Sequence, residues 1–420
     1  MKDAASPAAI DLAEAQVSPR RYVFFAMIFI MYALSYADRA ALSIALPELS
    51  REFALDPVQI GWVSSSFLWT YFLLNLPSTI VLDMVGARRV GSVAVALWSV
   101  AMVIGGLTQT MSQFVASRLL LGVGESPTFG VGAKVVRNWA GHDERGTVMT
   151  VLLTGIQLGL AFGTLAGAYL IVLFGWRVEF MALGAIGVIW AIAWYRLYRD
   201  PIVPATPGAS RAISLANIRA LFASRSFRGI LVVQCTQNYL NFLIMSWAPL
   251  YLIHELNIDL KKTGSTTALC YLIAAIGAVV LCRIGERLVP IGRERPARRR
   301  FIVAAFLTGA ASIGLLPWFH TMTPILIVMS GALCCLIAAS GANTAMLTDL
   351  VDDGTKIGSV TGVTLTFSNL LGLLAPIVTG YIVAATDRFD LAWYLCSGAL
   401  LVAGVLSILL VDRPIEMDRR

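Results

Sequence analysis

One apolar run follows another along this chain, each long enough to cross a bilayer and separated from the next by a short polar break. That pattern leaves few folds open. A membrane-spanning helix needs about 20 predominantly apolar residues, and inside lipid only a helix or a closed barrel satisfies its own backbone hydrogen bonds. Twelve runs are read, at about 22–49, 58–82, 88–109, 112–139, 146–173, 178–198, 227–254, 264–283, 300–319, 323–348, 356–385 and 391–411. The chain is 58% hydrophobic and 14% charged, where a soluble domain runs nearer ~25% charged. The expected fold class is an all-α polytopic membrane protein with twelve transmembrane helices.

The longest break, residues 199–226, divides the runs into six and six. Its first part, DPIVPATPGAS, reads as a linker by its Pro and Ala/Ser content. Its second part, ISLANIRALF, reads as a short amphipathic helix on a membrane surface. The expected organisation is a tail over 1–21, a six-helix bundle over 22–198, the linker over 199–226, a second bundle over 227–411 and a tail over 412–420. Two parallel six-helix repeats are the arrangement expected of a rocking transporter, with its site between them near the midplane.

Orientation follows from the basic residues. With the N-terminus inside, 25 of the 32 Lys and Arg fall in cytoplasmic segments and five in outer loops, while Arg39 and Arg118 are intramembrane. That bias predicts both termini in the cytoplasm. It also accounts for the net charge of +7 without nucleic acid, because the bases sit in loops and do not cluster with aromatics. Residues 1–19 are polar and Ala/Pro-rich and precede a span with no short h-region, so no cleavable signal is read.

Other chemistry is missing. The six cysteines (Cys235, Cys270, Cys282, Cys334, Cys335 and Cys396) lie in or beside spans and form no CxxC. They read as reduced core residues. The three histidines are scattered, and no GxxxxGK[ST] loop is present. Neither a catalytic residue, a metal site nor an ATP-driven pump is expected, and no cofactor is called for.

The charges inside the runs are what need explaining. Asp38 and Arg39 are adjacent in SYADRAALS (Ser35–Ser43), near the middle of the first run. A charge at membrane depth costs roughly 2.5–3.5 kcal/mol even on lenient scales. A self-neutralising pair that only fixes helix packing is the plain alternative. Arg118 and Glu125 lie in SRLLLGVGESP, spaced i, i+7 on one helix face. Four buried charges, two of each sign, point to one shared polar site.

The loop after the second run, LDMVGARRV, holds Asp83, Gly86, Arg88 and Arg89. It resembles the inter-span motif of the major facilitator superfamily, although Thr79 stands where the motif begins with Gly and Met84 where a base is usual. The resemblance implies the fold of two six-helix pseudo-repeat bundles and a cytoplasmic gate formed by Asp83, Arg88 and Arg89. Gly155, Gly159, Gly163 and Gly167 recur every fourth residue in the fifth run, a helix-packing stripe. Antiporters of the superfamily share a Gly-Pro pair in this span, and its absence favours symport over drug efflux.

The closer resemblance is to the anion:cation symporter family, which includes galactonate, glucarate and hexuronate carriers and sialin. Its marks are Asp38-Arg39 with Tyr36 before it, Arg118-x6-Glu125, the DERG turn at Asp143–Gly146, GWR at Gly175–Arg177, Gln234-x3-Asn238-Tyr239 leading to SWAPLYL, and Asn369-x2-Gly372-x3-Pro376-x3-Gly380. The resemblance implies that Arg39 clamps a substrate carboxylate. It also implies that Asp38 and Glu125 are proton-coupling acids, and that Arg118 holds an acid when it is ionised. Tyr71, Gln234 and Asn369 match positions that hydrogen-bond substrate. The residue chemistry agrees. A guanidinium is a planar, always-charged fork suited to a carboxylate. The four charges sum to zero with both acids ionised, and to +2 with both protonated, so anion and protons would bind together.

The second half has no titratable residue deep in a span. It offers neutral donors and acceptors, among them Gln234, Gln237, Asn238, Asn241, Ser340, Asn343, Thr344, Ser368 and Asn369. These suit hydroxyls, though about half are expected to be interhelical contacts. The expectation is therefore a monomeric, proton-coupled importer of a small organic anion, most simply a sugar acid, in a bacterial inner membrane. The expected substrate set is Arg39, Tyr71, Gln234, Asn369, Tyr36, Asn238, Ser340 and Asn343. The alternatives are an importer of aromatic carboxylates, an efflux antiporter, and a non-transporting sensor.

Overall fold

The computed structural model describes residues 18–141, 144–201, 215–289, 295–351 and 357–415. Most of the N-terminal tail, Asp143 of the DERG turn, the Pro-rich part of the linker and the last residues of the C-terminal tail lie outside the described residues.

The first half contains α1 (Arg20–Glu52), α2 (Pro57–Val85), α3 (Ala87–Leu107), α4 (Met111–Glu125), α5 (Thr128–Trp139), α6 (Arg145–Phe174) and α7 (Trp176–Leu197). The short α8 (Leu215–Ala223) follows in the second part of the linker. The second half contains α9 (Arg225–Leu256), α10 (Leu260–Leu288), α11 (Arg295–Ala310) continued by a 3-10 turn (Ala311–Trp318), α12 (Met322–Leu350), α13 (Ile357–Thr386) and α14 (Asp390–Leu410).

Among the described residues, ten helices are long and apolar enough to cross a membrane. Two of the twelve expected runs fall outside that group for visible reasons. The seventh, α9, is long but diluted by Gln234, Gln237, Asn238 and Asn241. The fourth is not one helix: it breaks into α4 and α5 at Ser126 and Pro127. Proline carries no N–H and cannot continue the hydrogen-bond ladder. The carbonyl of Ser126 accepts instead from Asn75 Nδ2 at 3.3 Å, the kind of side-chain compensation that broken helices in membranes require.

The chain forms two compact units, one of Met1–Ala54 with Ser65–Ala209 and the other of Leu55–Ser64 with Ser210–Arg420. In the first unit α1 packs along α6, and α3 along α7 and α4. In the second, α9 packs along α13 and α11 along α14. The first span thus pairs with the fifth and the third with the sixth, and the second six repeat that order. This is the twelve-helix, two-repeat fold expected from the sequence.

The glycine stripe explains why α1 and α6 lie so close. A Cβ on Gly155 would come within 2.8 Å of the Phe29 carbonyl oxygen, and one on Gly163 within 2.7 Å of Ala37 Cα. Gly159 faces Ala33 in the same way. The register along α1 (Phe29, Ala33, Ala37) ends directly before Asp38 and Arg39, so the packing sets their depth.

Polar clasps close both ends of this unit. Where α1 ends, Glu52 accepts from Trp176 Nε1 at 2.8 Å and from Arg177 Nη1 and Nη2 at 2.7 and 2.6 Å. Where α1 begins, Arg21 pairs with Glu144 of the DERG turn at 2.6 Å. The Asp200 carboxylate accepts from the backbone N–H groups of Ala87 and Arg88 at 2.9 and 3.0 Å, capping α3 in the place of a residue from its own chain segment. In the second unit Arg299 of α11 donates to Glu286 of α10 at 2.6 Å and to Asp349 of α12.

Candidate functional site

The four intramembrane charges meet in the first unit. Asp38, Arg39, Arg118 and Glu125 are 2%, 5%, 1% and 0% exposed. Arg39 donates through Nε and Nη2 to one oxygen of Glu125, Oε2, at 3.1 and 2.7 Å. The other oxygen, Oε1, has no hydrogen-bond partner. Three ring centroids surround the Arg39 guanidinium, Tyr36 at 4.3 Å, Phe67 at 5.1 Å and Tyr71 at 5.2 Å, which adds cation–π attraction in a desolvated place. Phe67 and Tyr71 belong to α2. That helix is held against α4 by Thr70 Oγ1 donating to the Leu119 carbonyl at 2.6 Å. Gly122 makes the approach possible, since a Cβ there would collide with the Phe67 carbonyl and Thr70.

Arg118 is placed differently from the sequence expectation. It bonds no carboxylate among the described residues. Its Nη1 donates to Met102 Sδ at 3.5 Å, and its Nε and Nη2 have no partner. Phe67 and Phe180 lie under its guanidinium at 5.6 and 5.9 Å. The reason is geometric. Seven residues on one helix face put Arg118 and Glu125 roughly 10 Å apart along the axis, while α1 crosses at the level of Glu125 and presents Arg39. The residue that holds Glu125 is therefore Arg39, the expected clamp. Asp38 Oδ1 is also without a partner.

In the second unit the expected neutral residues pair mostly with one another. Asn343 Nδ2 donates to Gln234 Oε1 at 3.1 Å and to the Ile230 carbonyl at 3.2 Å. Asn238 Nδ2 donates to Ser368 Oγ and Asn369 Oδ1, both at 3.0 Å. These bonds tie α9 to α12 and to α13. Asn343 Oδ1 keeps a vacant acceptor. Ser340, part of the expected substrate set, lends its backbone carbonyl to the Thr344 hydroxyl at 2.9 Å. Gln237, grouped at the sequence level only with the neutral donors, is buried with neither amide atom bonded.

The loop after α2 is engaged within its own unit. Lys134 Nζ donates to Asp83 Oδ1 at 3.2 Å and to the Leu82 carbonyl at 2.8 Å. Arg88 Nε donates to the Tyr195 carbonyl at 2.9 Å, with its guanidinium 4.6 Å from the Tyr195 ring. Arg89 lines an apolar groove of about 360 Å³ with Val81, Val85 and Val93. The acid thus partners Lys134 of α5 and neither of the loop's own arginines.

Sequence reasoning missed Glu179 on α7. It is 0% exposed, and neither carboxyl oxygen has a hydrogen-bond partner. The available signal was an acid at the second position of an apolar run, with no base three or four residues away.

Comparison with known proteins fits this fold. The Major Facilitator Superfamily profile matches residues 28–376. The chain is 30% identical over 409 residues to a probable L-galactonate transporter of Escherichia coli (strain K12), covering 94% of this chain and 90% of that one. It is 27% identical over 432 residues to a probable galactarate/D-glucarate transporter of the same strain, covering 95% and 96%. A crystal structure of a bacterial homologue of the human lysosomal transporter Spinster superposes with a TM-score of 0.77 at 16% identity, covering 94% and 97%. The chain belongs to the major facilitator superfamily, among its anion:cation symporter-like members. It is a multi-pass membrane transporter and not an enzyme.

Proposed function

We propose that this transporter carries a small organic anion, a sugar acid, together with protons, by alternating access. The observation that carries the reading is the Arg39–Glu125 bond. Arg39 is the best carboxylate ligand in the site, and it is occupied by an internal carboxylate through one oxygen. A substrate carboxylate and Glu125 compete for the same guanidinium. Protonating Glu125 removes its charge, weakens its hold and leaves Arg39 for the substrate. Proton and anion then bind together, and leave together.

Arg118 supports the same reading. A buried guanidinium with two unbonded nitrogens retains capacity for an anionic or hydroxylated group. The relatives named for galactonate and for galactarate or glucarate point to a polyhydroxy acid. Within the second unit, the unbonded amide of Gln237 and the free acceptor of Asn343 are groups suited to hydroxyls. The three rings around Arg39 favour a second reading, in which the acid is aromatic and its ring stacks there. The placement of the basic residues supports a topology with both termini in the cytoplasm, and the reading is of import across a bacterial inner membrane.

The deciding experiment is uptake into proteoliposomes over a panel of aldonic, aldaric, hexuronic and aromatic acids, with and without an inward proton gradient. Accumulation of one sugar acid driven by the gradient is the expected result. Gradient-independent movement, or outward exchange alone, removes the symport reading. Accumulation of an aromatic acid in its place selects the second reading.

A further inference from the structure

The acid and base count of the first unit is uneven. Arg39 and Arg118 stand against Asp38 and Glu125, and Glu179 makes a third buried acid with no third buried cation among the described residues of the unit. Glu179 lies in the first turn of α7, where a carboxylate often caps backbone N–H groups, yet neither of its oxygens accepts a hydrogen bond. It has been given room. Gly167, the fourth glycine of the stripe, faces the Glu179 carboxyl where its three predecessors face α1 backbone. A Cβ at position 167 would collide with Glu179 Oε1 and lie 3.1 Å from Ile44 Cγ2. Packing alone does not explain an acid held in a pocket that a glycine keeps open.

Its position is intermediate. Glu179 and Ile44 converge on Gly167, so Glu179 lies at the level of Ile44. That is six residues along α1 from Asp38, roughly 9 Å, and eight from Glu52, roughly 12 Å. Glu52 is solvent-accessible and marks the end of the unit where α1 terminates. The charged groups around Glu179 are few. Asp38 is the buried acid on α1, six residues from the Ile44 level. Arg177, two residues before it, is committed to Glu52 and to the Thr108 carbonyl. Arg118 on α4 lies against the adjacent Phe180. On α6 the contact is Gly167, while Gly105 and Gly106 of α3 meet its chain neighbours, Phe180 and the Arg177 carbonyl.

We propose that Glu179 is a third proton carrier, placed between the Glu52 end of the unit and Asp38, and that it reloads Asp38 from the outer aqueous phase. The inference rests on the proton-coupled reading above. The proton enters at the Glu179 carboxyl, passes to Asp38 through water admitted when the outer side is open, and leaves to the cytoplasm with the substrate. Two arginines balance two carboxylates, so the third acid retains a proton between cycles, and Asp38 and Glu179 share it.

Glu179→Gln is isosteric with the protonated form and tests this directly. Expected is a loss of at least tenfold in gradient-driven uptake, with substrate counterflow, which needs no net proton movement, within twofold of wild type. Glu179→Asp should recover part of the uptake. An infrared carbonyl band of a protonated carboxylic acid should be present in the resting protein at neutral pH and weaken in Glu179→Gln. Equal loss of uptake and counterflow, or loss of neither, overturns the relay. An unchanged infrared band overturns the retained proton. If the wild-type protein itself shows no gradient-driven uptake, the symport reading fails instead, and the infrared measurement still decides the state of Glu179.

Discussion

Arg39 spends two of its donors on a single oxygen of Glu125, at 3.1 and 2.7 Å, while the second oxygen of that carboxylate bonds nothing. The geometry is a pair ready to exchange partners, because a substrate carboxylate can offer both its oxygens to the fork. Arg39→Ala should abolish substrate binding and uptake. It should also destabilise the first unit by about 3–5 kcal/mol, the usual cost of stranding one member of a buried ion pair. Binding calorimetry and thermal unfolding in detergent check the two halves of this prediction separately. Normal uptake removes the clamp role.

Glu125→Gln mimics the protonated acid. Substrate exchange across the membrane should survive, whereas accumulation driven by a proton gradient should vanish. In the wild-type protein substrate affinity should strengthen as pH falls, by at most about tenfold per pH unit for each linked proton. In the variant that slope should lose one proton. An affinity that weakens on acidification contradicts competition between Glu125 and substrate for Arg39.

Gln237 is buried with an unbonded amide, whereas Asn238 is spoken for by Ser368 and Asn369. Gln237→Leu should therefore raise the Km for a polyhydroxy acid by roughly tenfold, about one hydrogen bond to a neutral partner, with little change in thermal stability. Asn238→Leu should do the reverse, since it breaks an interhelical tie. Transport kinetics paired with melting curves separate these outcomes.

Asp83 and Lys134 form a surface pair 3.2 Å apart. Exposed pairs contribute little to stability, so Asp83→Asn should leave the melting temperature nearly unchanged. If the loop gates the cycle, turnover should fall severalfold while substrate affinity holds. An unchanged turnover number returns the loop to a purely topological role.

Arg299 joins Glu286 of α10 and Asp349 of α12 at one end of the second unit and is itself buried. Arg299→Gln should cost about 2–4 kcal/mol and lower the unfolding temperature by several degrees. Proteolysis at the α10–α11 connection, followed over time, should accelerate in the variant.

Much of this was legible in the residues. Apolar length defined the spans, and the four charges stood out because lipid makes them expensive. The spacing of Arg118 and Glu125 showed that they share a face of α4, but spacing within one helix says nothing of which neighbour crosses it. The pairing of Glu125 with Arg39 was therefore hidden until α1 and α4 were packed. The break after Glu125 had its signal in the Ser126-Pro127 step, masked by the apolar residues on either side. The neutral amides of the second unit stood out as polar groups within apolar runs, and of these Gln234, Gln237 and Asn343 are buried, yet whether an amide meets a ligand or another amide depends on helix register. Glu179 escaped because an acid near the start of a helix reads as a cap, and only the facing Gly167 reveals that it is enclosed.

The glycine contacts between α1 and α6 have a mechanical consequence. Where two helices approach backbone to backbone over three successive turns, little side-chain volume lies between them to slide or repack, and the two behave as one stiff plank. Asp38 and Arg39 are fixed to that plank. They cannot be re-aimed individually, so any reorientation of the charge cluster must move α1 and α6 as one body. A bulky residue at Gly159, which faces Ala33 and none of the charges, would then disturb transport as severely as a change in the cluster, by bending the part that carries it.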